Sequence, residues 1–457
     1  MIRPTPLWRR AGSRLALAVA LLAALSPAFA ADPGASPPLT LAEAVAAALG
    51  RYPALAAARA RVEQADQSLG EARTELRPSL SATVLGAHYG EPIPVTPIHA
   101  FEPALLPELD ETLLQGAVQV DYTLFDSGRG ERVRQAEAQL AAESASLDAG
   151  EQAVAARVAG LYARVLTRRD KLAAQRTRVE AVRAELGRVE QLLGVGKAPE
   201  VDRLRAEAAV AGAEADAVRA ATELDSAERD LARLAGLDVE AARAGRLIAL
   251  AEPAAPAAAR DELARAAVGA RTEVAAARAA LEAAAAGESL ARTGYHPKLR
   301  ATGLYQELGA SELAFTSEWN VALRLSVPIW DGGATGRRVS RAVAGLDEAR
   351  ARLAQAELEA REDVDRALAA WTDAEARAVA LARAEARLAE VTRIERLLLE
   401  VGSGTQTDYL DAESELAATR AARAENLGTA LVARVELAHA TGELSLDWLV
   451  RNLEASR

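Results

Sequence analysis

The 457-residue chain has no cysteine, one methionine, four histidines and only 4% aromatic residues. Without cysteine there can be no disulfide, no thiol nucleophile, no thiolate metal site and no lipid anchor on an N-terminal cysteine. The histidines, His88, His99, His296 and His439, lie far apart with no HExxH spacing, and no glycine pair is followed by a phosphate-loop pattern. The sequence therefore predicts no cofactor, no metal and no catalysis. So few large side chains disfavour a big globular core, whereas an alanine- and arginine-rich chain favours helices packed through small residues. Also missing beyond residue 30 is any apolar run of about 20 residues, the length a membrane-spanning helix needs. A membrane crossing would have to be made by strands.

Residues 1–30 have the form of a secretory signal. Arg3, Arg9, Arg10 and Arg14 precede the apolar run Leu15 to Leu25, and Ala28-Phe29-Ala30 supplies a small-x-small cleavage site. Removing those four arginines from the 54 Lys and Arg leaves 50 basic against 65 acidic residues, a net of −15 that disfavours nucleic acid as a partner. Residues 31–51 read as an N-terminal segment, periplasmic by the resemblance given below.

What the chain does have is a repeat. Leu193 to Ala209 and Leu399 to Leu416 match at a constant offset of 206, which pairs Gly196 with Gly402, Asp202 with Asp408, Leu204 with Leu410 and Glu207 with Glu413. Each turn interrupts a very long helical pattern. Helix 131–193 places Leu147, Val154, Leu161, Val182 and Val189 at one heptad position and Val158, Val165, Leu172, Val179, Leu186 and Leu193 at another. Helix 336–400 places Leu346, Leu353, Ala360, Ala367, Ala374, Leu381 and Leu388 at intervals of seven. Shorter helices at 52–77 and 200–236 together match the length of the first long one, so two short helices run end to end beside each long helix.

Between the helices the period changes to two. Gly116, Val118, Val120, Tyr122 and Leu124 alternate with Gln115, Gln119, Asp121 and Thr123, and Trp319, Val321, Leu323, Leu325 and Val327 alternate with Asn320, Arg324 and Ser326. Weaker alternation gives four strands in all, near 79–89, 115–126, 299–308 and 318–329, with Gly90 to Leu114 and Gly309 to Ser317 as surface loops. Residues 79–130 and 295–335, which contain these strands, hold 9 of the chain's 16 aromatic residues, the enrichment expected of strands that meet lipid interfaces. The domain plan is a first repeat at 52–236, an equatorial excursion at 237–260, a second repeat at 261–442 with helix 405–441, and a tail at 443–457. Four strands cannot close a transmembrane barrel, for which about eight is the minimum, so the chain must oligomerise. Strand counting leaves two copies and three copies open.

This duplicated plan, the opening LTLAEAVAAAL, the strand-to-helix turns FDSG (Phe125 to Gly128) and WDGG (Trp330 to Gly333), and the paired VG turns followed by Asp-x-x-x-Ala resemble TolC-like outer-membrane efflux proteins over residues 39–442. The resemblance implies an α+β membrane protein: a homotrimer whose 12-stranded β-barrel, four strands per chain, sits in outer-membrane lipid and continues as a long α-helical coiled-coil barrel through the periplasm. It implies a passive exit duct for tripartite efflux or type I secretion. The expected partners are a periplasmic adaptor (membrane fusion) protein and an inner-membrane transporter of RND, ABC or MFS type. A different reading of the same helices is a periplasmic coiled-coil structural or adaptor protein.

By the same resemblance, Asp408 and Asp411 form charged rings at the periplasmic aperture. An arginine often follows the VG pair in the family and latches the closed end; here Ser403-Gly404 stand there, and Arg205, the first copy's counterpart of Asp411, is the alternative cationic partner. Asp202 and Asp408 could equally do no more than complement a helix N-terminus. The turns at Val195-Gly196 and Val401-Gly402 are expected to reverse the chain and to receive the adaptor's helical tips, small residues allowing close backbone approach.

Overall fold

The computed structural model describes residues 39–95, 109–239, 247, 249–250, 255, 258–310 and 315–454. The signal, the expected loop around 96–108 and most of the 237–260 excursion lie outside them. In chain order the elements are α1 (Leu41–Arg51), α2 (Pro53–Thr74), β1 (Ser79–Pro94), β2 (Leu109–Asp126), α3 (Ser127–Gly194) and α4 (Glu200–Ala235). The second half has α5 (Arg260–Ala270), α6 (Thr272–Arg292), β3 (Lys298–Gly309), β4 (Phe315–Ser326), α7 (Ala334–Glu400), α8 (Gln406–Ala440) and α9 (Leu446–Leu453). None of the described helices is long and apolar enough to cross a membrane.

The strands form one antiparallel sheet in the order β1-β2-β3-β4. Its register sorts the side chains. Leu80 pairs with Val120, Val120 with Gly303, Gly303 with Val321, Val118 with Tyr305 and Tyr305 with Trp319, so the oily positions of all four strands share one face. That face is bare: Trp319 and Val321 are each 73% exposed. The other face is a hydrogen-bonded polar lattice, in which Gln115 donates to Gln306 (2.9 Å), Gln306 to Glu318 (2.7 Å) and Thr302 to Asp121 (3.1 Å). An irregularity between Thr123 and Phe125 shifts the parity of β2, pairing Phe125 with Leu299 on the oily side and Asp126 with Lys298 on the polar one. β1 and β2 run further than the alternation predicted, to Pro94 and from Leu109, across a register shift between His88 and Ile93. Proline is tolerated there because β1 is an edge strand and Pro92 falls inside the irregular stretch.

Both long helices begin where an aspartate caps them. Asp126 accepts from the Gly128 amide (2.8 Å), and Asp331 accepts from the amides of Gly333 (3.1 Å) and Thr335 (2.7 Å), which explains the D-x-G spacing of the two turns. The Thr335 hydroxyl and amide hold the Asp331 carboxyl below its ordinary range. α3 has 68 residues and α7 has 67, about 100 Å each at roughly 1.5 Å per residue.

The wall they build is thin. α3 contacts α2 and α6 above and α4 and α8 below, while α7 contacts α6 and α8. Close packing comes from alanine at heptad spacing, with Ala206, Ala213, Ala220 and Ala227 of α4 buried against α3 and Ala360, Ala367 and Ala374 buried on α7. Where α8 crosses α3 even a methyl group is too much, since a Cβ on Gly428 would collide with Thr167 Oγ1.

At mid-height the wall thickens. Leu41, Val45 and Ala48 of α1 pack on Val154, Val158 and Tyr162 of α3 together with Trp448, Leu449 and Leu453 of α9, and the Tyr162 hydroxyl donates to the Leu39 carbonyl (2.8 Å). The predicted tail 443–457 thus contains a docked helix; its short apolar triplet has no extended period to announce it. α5 repeats the arrangement on α7 through Leu263, Ala267, Ala360 and Val364. The duplication extends to the joints: a Cβ on Gly236 would meet Arg51 at 2.9 Å, and one on Gly442 would meet the Ala270 carbonyl at 2.5 Å. Beside the second joint Arg271 bridges Glu273 (3.0 Å) and Asp363 (2.7 Å), and His439 Nε2 lies 3.1 Å from Glu273. Burial alone would raise the Glu273 carboxyl, but His439 and Arg271 hold it down to about 2.

Two outcomes are expected from these packings. Gly428→Ala should lower stability by about 1–3 kcal/mol through overpacking, and adding Thr167→Ala should recover most of the loss in thermal unfolding. Because the folded Glu273 carboxyl is depressed from 4.5 to about 2, its stabilisation is present above the unfolded pKa and lost as pH falls from 4.5 through 2. Thermal unfolding of Glu273→Gln should accordingly lie below the parent at neutral pH and converge with it towards pH 2.

Candidate functional site

The two helix-reversing turns share one hydrogen-bond pattern. At the end of α3 the Gly196 amide donates to Leu193 (2.9 Å) and the Lys197 amide to Leu192 (2.8 Å); at the end of α7 the Gly402 amide donates to Leu399 (3.2 Å) and the Ser403 amide to Leu398 (2.9 Å). Both are Schellman closures, with Gly196 at φ +70° and Gly402 at φ +80°, a region only glycine occupies without strain. This is the physical content of the repeated VG pair. The valines before the glycines, Val195 and Val401, are exposed, as are Val201, Leu204 and Leu397 nearby.

The second turn is tighter than the first. The Gly404 amide also donates to Leu398 (3.0 Å), and a Cβ on Gly404 would lie 2.9 Å from Leu398 Cβ and 3.0 Å from the Leu399 amide nitrogen. A side chain on Gly404 would need a different turn.

The four charged candidates fall into two groups. Asp202 lies in the first turn of α4, which has no side-chain cap, and Arg205 reaches it at 3.8 Å. α8 is capped by Thr405, whose hydroxyl accepts from the Asp408 amide (3.2 Å) and donates to the Asp408 carboxylate (2.6 Å). Asp408 is thus committed to starting its helix. One turn on, Asp411 is exposed and makes no ion pair among the described residues. Arg205 and Asp411 do not meet within the chain, because α4 and α8 barely touch and each packs on α3.

Known proteins share this fold. A sequence profile described as outer membrane efflux protein matches residues 44–237 and 263–443. The chain belongs to the outer membrane efflux protein family. Members of this family are channels rather than enzymes. Among solved structures, a membrane protein from Pseudomonas aeruginosa superposes with a TM-score of 0.76 at 23% identity, covering 89% of this chain and 91% of that one. The outer membrane protein VceC from Vibrio cholerae gives 0.74 at 18% identity over 88% and 96%. The CmeC outer membrane channel of Campylobacter jejuni gives 0.77 at 16% identity over 90% and 88%. Comparison with curated proteins by sequence gave no match.

Near its tip this efflux-family chain also gathers polar residues that sequence reasoning missed. Arg188 of α3 grips Glu185 with two hydrogen bonds (2.8 and 2.7 Å), Arg396 of α7 donates to Glu400 (3.2 Å), and the Tyr409 hydroxyl of α8 donates to Glu413 (3.3 Å). Hydrogen bonding to Glu185 raises the Arg188 guanidinium, while burial first and the Glu413 charge second push Tyr409 up to about 12. Gln406, one turn before Tyr409, is 4% exposed and neither amide atom has a partner among the described residues. Higher up, Arg168 and Lys171 each bridge Glu223 of α4 and Glu425 of α8 at 2.9 to 3.3 Å, and Arg178 joins Asp216 (3.0 Å) to Ser414 (3.2 Å). These cations tie the two hairpins together through α3. Charges beside a heptad stripe read as solvated until the neighbouring helix is known, and no sequence signal names that neighbour.

Arg188→Gln would leave Glu185, whose side chain is 5% exposed, without its cation. A loss of about 3 kcal/mol is expected, the low end for breaking a buried pair because Arg188 itself keeps some solvent contact. Thermal unfolding in detergent would measure it, and Glu185→Gln added to Arg188→Gln should restore part of the loss.

Proposed function

We propose that three copies of the chain close their sheets into a 12-stranded outer-membrane β-barrel continued by a periplasmic α-helical tunnel, the passive exit duct of a tripartite efflux or type I secretion system. One observation carries this reading: a sheet whose oily face is exposed and whose two outer strands, β1 and β4, have no partner on their outer edges among the described residues. Lipid would cover the face, but it cannot hydrogen-bond the edges, so they must pair with further copies. The family match and the capped passage from each strand pair into a long helix support the continuous tube. A water-soluble periplasmic coiled-coil adaptor would have no use for the bare apolar face.

The exposed valines of the glycine-closed turns, Val195-Gly196 and Val401-Gly402, are the proposed landing points for a periplasmic adaptor, which couples the duct to an inner-membrane transporter of RND, ABC or MFS type. Asp411, exposed and without an ion pair among the described residues, is the proposed gate residue. Asp408, held by Thr405, supports it by fixing the start of α8, and Asp202 with Arg205 forms the matching surface on the first hairpin. Threefold symmetry would bring three Asp411 carboxylates around the axis, where a low-dielectric constriction focuses their field.

Membrane fractionation should place the protein in the outer membrane as a heat-dissociable trimer; recovery as a soluble periplasmic monomer would overturn the duct. In planar bilayers Asp411→Ala trimers should pass current about tenfold more readily than the parent, the factor that 1.4 kcal/mol of gate energy represents. Equal conductance would remove Asp411 from the gate.

A further inference from the structure

Below the sheet, the four upper helices α2, α3, α6 and α7 share a groove of about 980 Å³ on one side of the wall. Small residues of α6, Ala280, Ala284 and Gly287 among them, line its floor, so no large side chain fills it. The rim is cationic. Arg61, Arg132, Lys298, Arg338, Arg341 and Arg352 line the groove against two carboxylates, Glu143 and Glu348. In a chain whose net charge is −11, the sign is inverted here.

Neutralisation by neighbours is partial. Arg352 pairs with Glu348 at 2.5 Å and Arg132 with Glu75 at 2.6 Å, but Lys298 reaches Asp126 only at 3.4 Å and Arg338 reaches Asp331 only at 3.6 Å. Arg61 and Arg341 make no ion pair among the described residues.

The sheet shows which way the groove opens. Lys298 is the first residue of β3 and alternates with Leu299, so it belongs to the face of Thr302 and Gln306, the hydrogen-bonded polar one. A groove lined by all four upper helices and by Lys298 is continuous with that polar face. Once the oily face is turned to lipid, the polar face is the water-filled interior.

We infer that this groove is a cationic vestibule that binds anionic solutes bearing several carboxylate or phosphate groups just beneath the strand section. The inference rests on the duct reading, because three copies set around one axis would surround a single cross-section with three sets of these six cations. Charge of one sign on a low-dielectric wall raises the local concentration of the opposite ion, and guanidinium groups hold carboxylate or phosphate oxygens in bidentate fashion. From Arg338 to Arg352 the lining spans about 21 Å at roughly 1.5 Å per residue, enough for a multivalent anion. It would make the upper tunnel prefer anions while the acidic tip prefers cations.

Benzenehexacarboxylate, a compact polyanion, is the probe. Added on the extracellular side of full-length trimers in planar bilayers, it should reduce the current in a voltage-dependent way, and calorimetry on the same trimers in detergent should register binding that weakens with salt. Replacing the two unpaired cations, Arg61→Glu with Arg341→Glu, should weaken block and binding at least tenfold, whereas Arg233→Glu on exposed α4 should change neither. If charge reversal impairs assembly, Arg61→Gln with Arg341→Gln gives the same comparison. Conducting trimers that neither bind the probe nor are blocked by it would overturn the vestibule and leave the duct standing. Binding unchanged by the groove substitutions would also overturn it. Trimers that bind the probe yet never conduct would instead sink the duct reading.

Discussion

Backbone hydrogen bonding in a medium without water is the constraint on which the rest of this structure depends. A sheet of four strands with one apolar face has a single surface suited to lipid and two edges suited to nothing but another strand. In the proposed barrel the polar lattice of Gln115, Gln306 and Glu318 faces inward, where water remains. Every downstream feature inherits that geometry. The aspartate-capped passages carry each strand pair into helices of nearly equal length, and a one-layer helical wall follows because each helix meets the sheet at its own strand end.

The wall is held by two unlike means. Alanine at heptad spacing lets helices approach closely but contributes little apolar area per residue, at roughly 25 cal/mol per Å². Specificity is left to cations on α3 that reach carboxylates on two different helices, Arg168 and Lys171 being the clearest. The bulkier core is confined to mid-height, where α1, α5 and α9 add a second layer and Tyr162, Val158 and Trp448 can be buried. The bulky packing is thus concentrated at the middle of the wall rather than at its ends.

Much of this was legible in the sequence because the signals are long. Four strands, two long helices and two glycine turns rest on periods sustained over many residues, and the offset of 206 pairs turns that prove to share their hydrogen bonds. Short or relational features were not legible. Residues around Pro92 read as loop because proline usually ends a strand, yet on an edge it does not. α9 is eight residues long and leaves no periodic trace. At the second turn, spacing sets Asp408 nearer the helix start than Asp411, but only the structure shows the Thr405 hydroxyl tying Asp408 there. The cations of the upper groove were invisible for a similar reason: Arg61, Lys298 and Arg341 are far apart in the chain and come together only through the sheet and the four helices below it.

The irregularity between Thr123 and Phe125 decides which face the residue that starts the next helix takes. A strand alternates its faces with each residue, so its length by parity alone would dictate whether the next helix starts facing inward or outward. One extra residue resets that count, turning Asp126 to the face of Lys298 while it caps the Gly128 amide. A further single residue in β2 would turn the carboxylate to the opposite face and part it from Lys298. The strand can therefore change length only by two residues at a time without disturbing the start of α3.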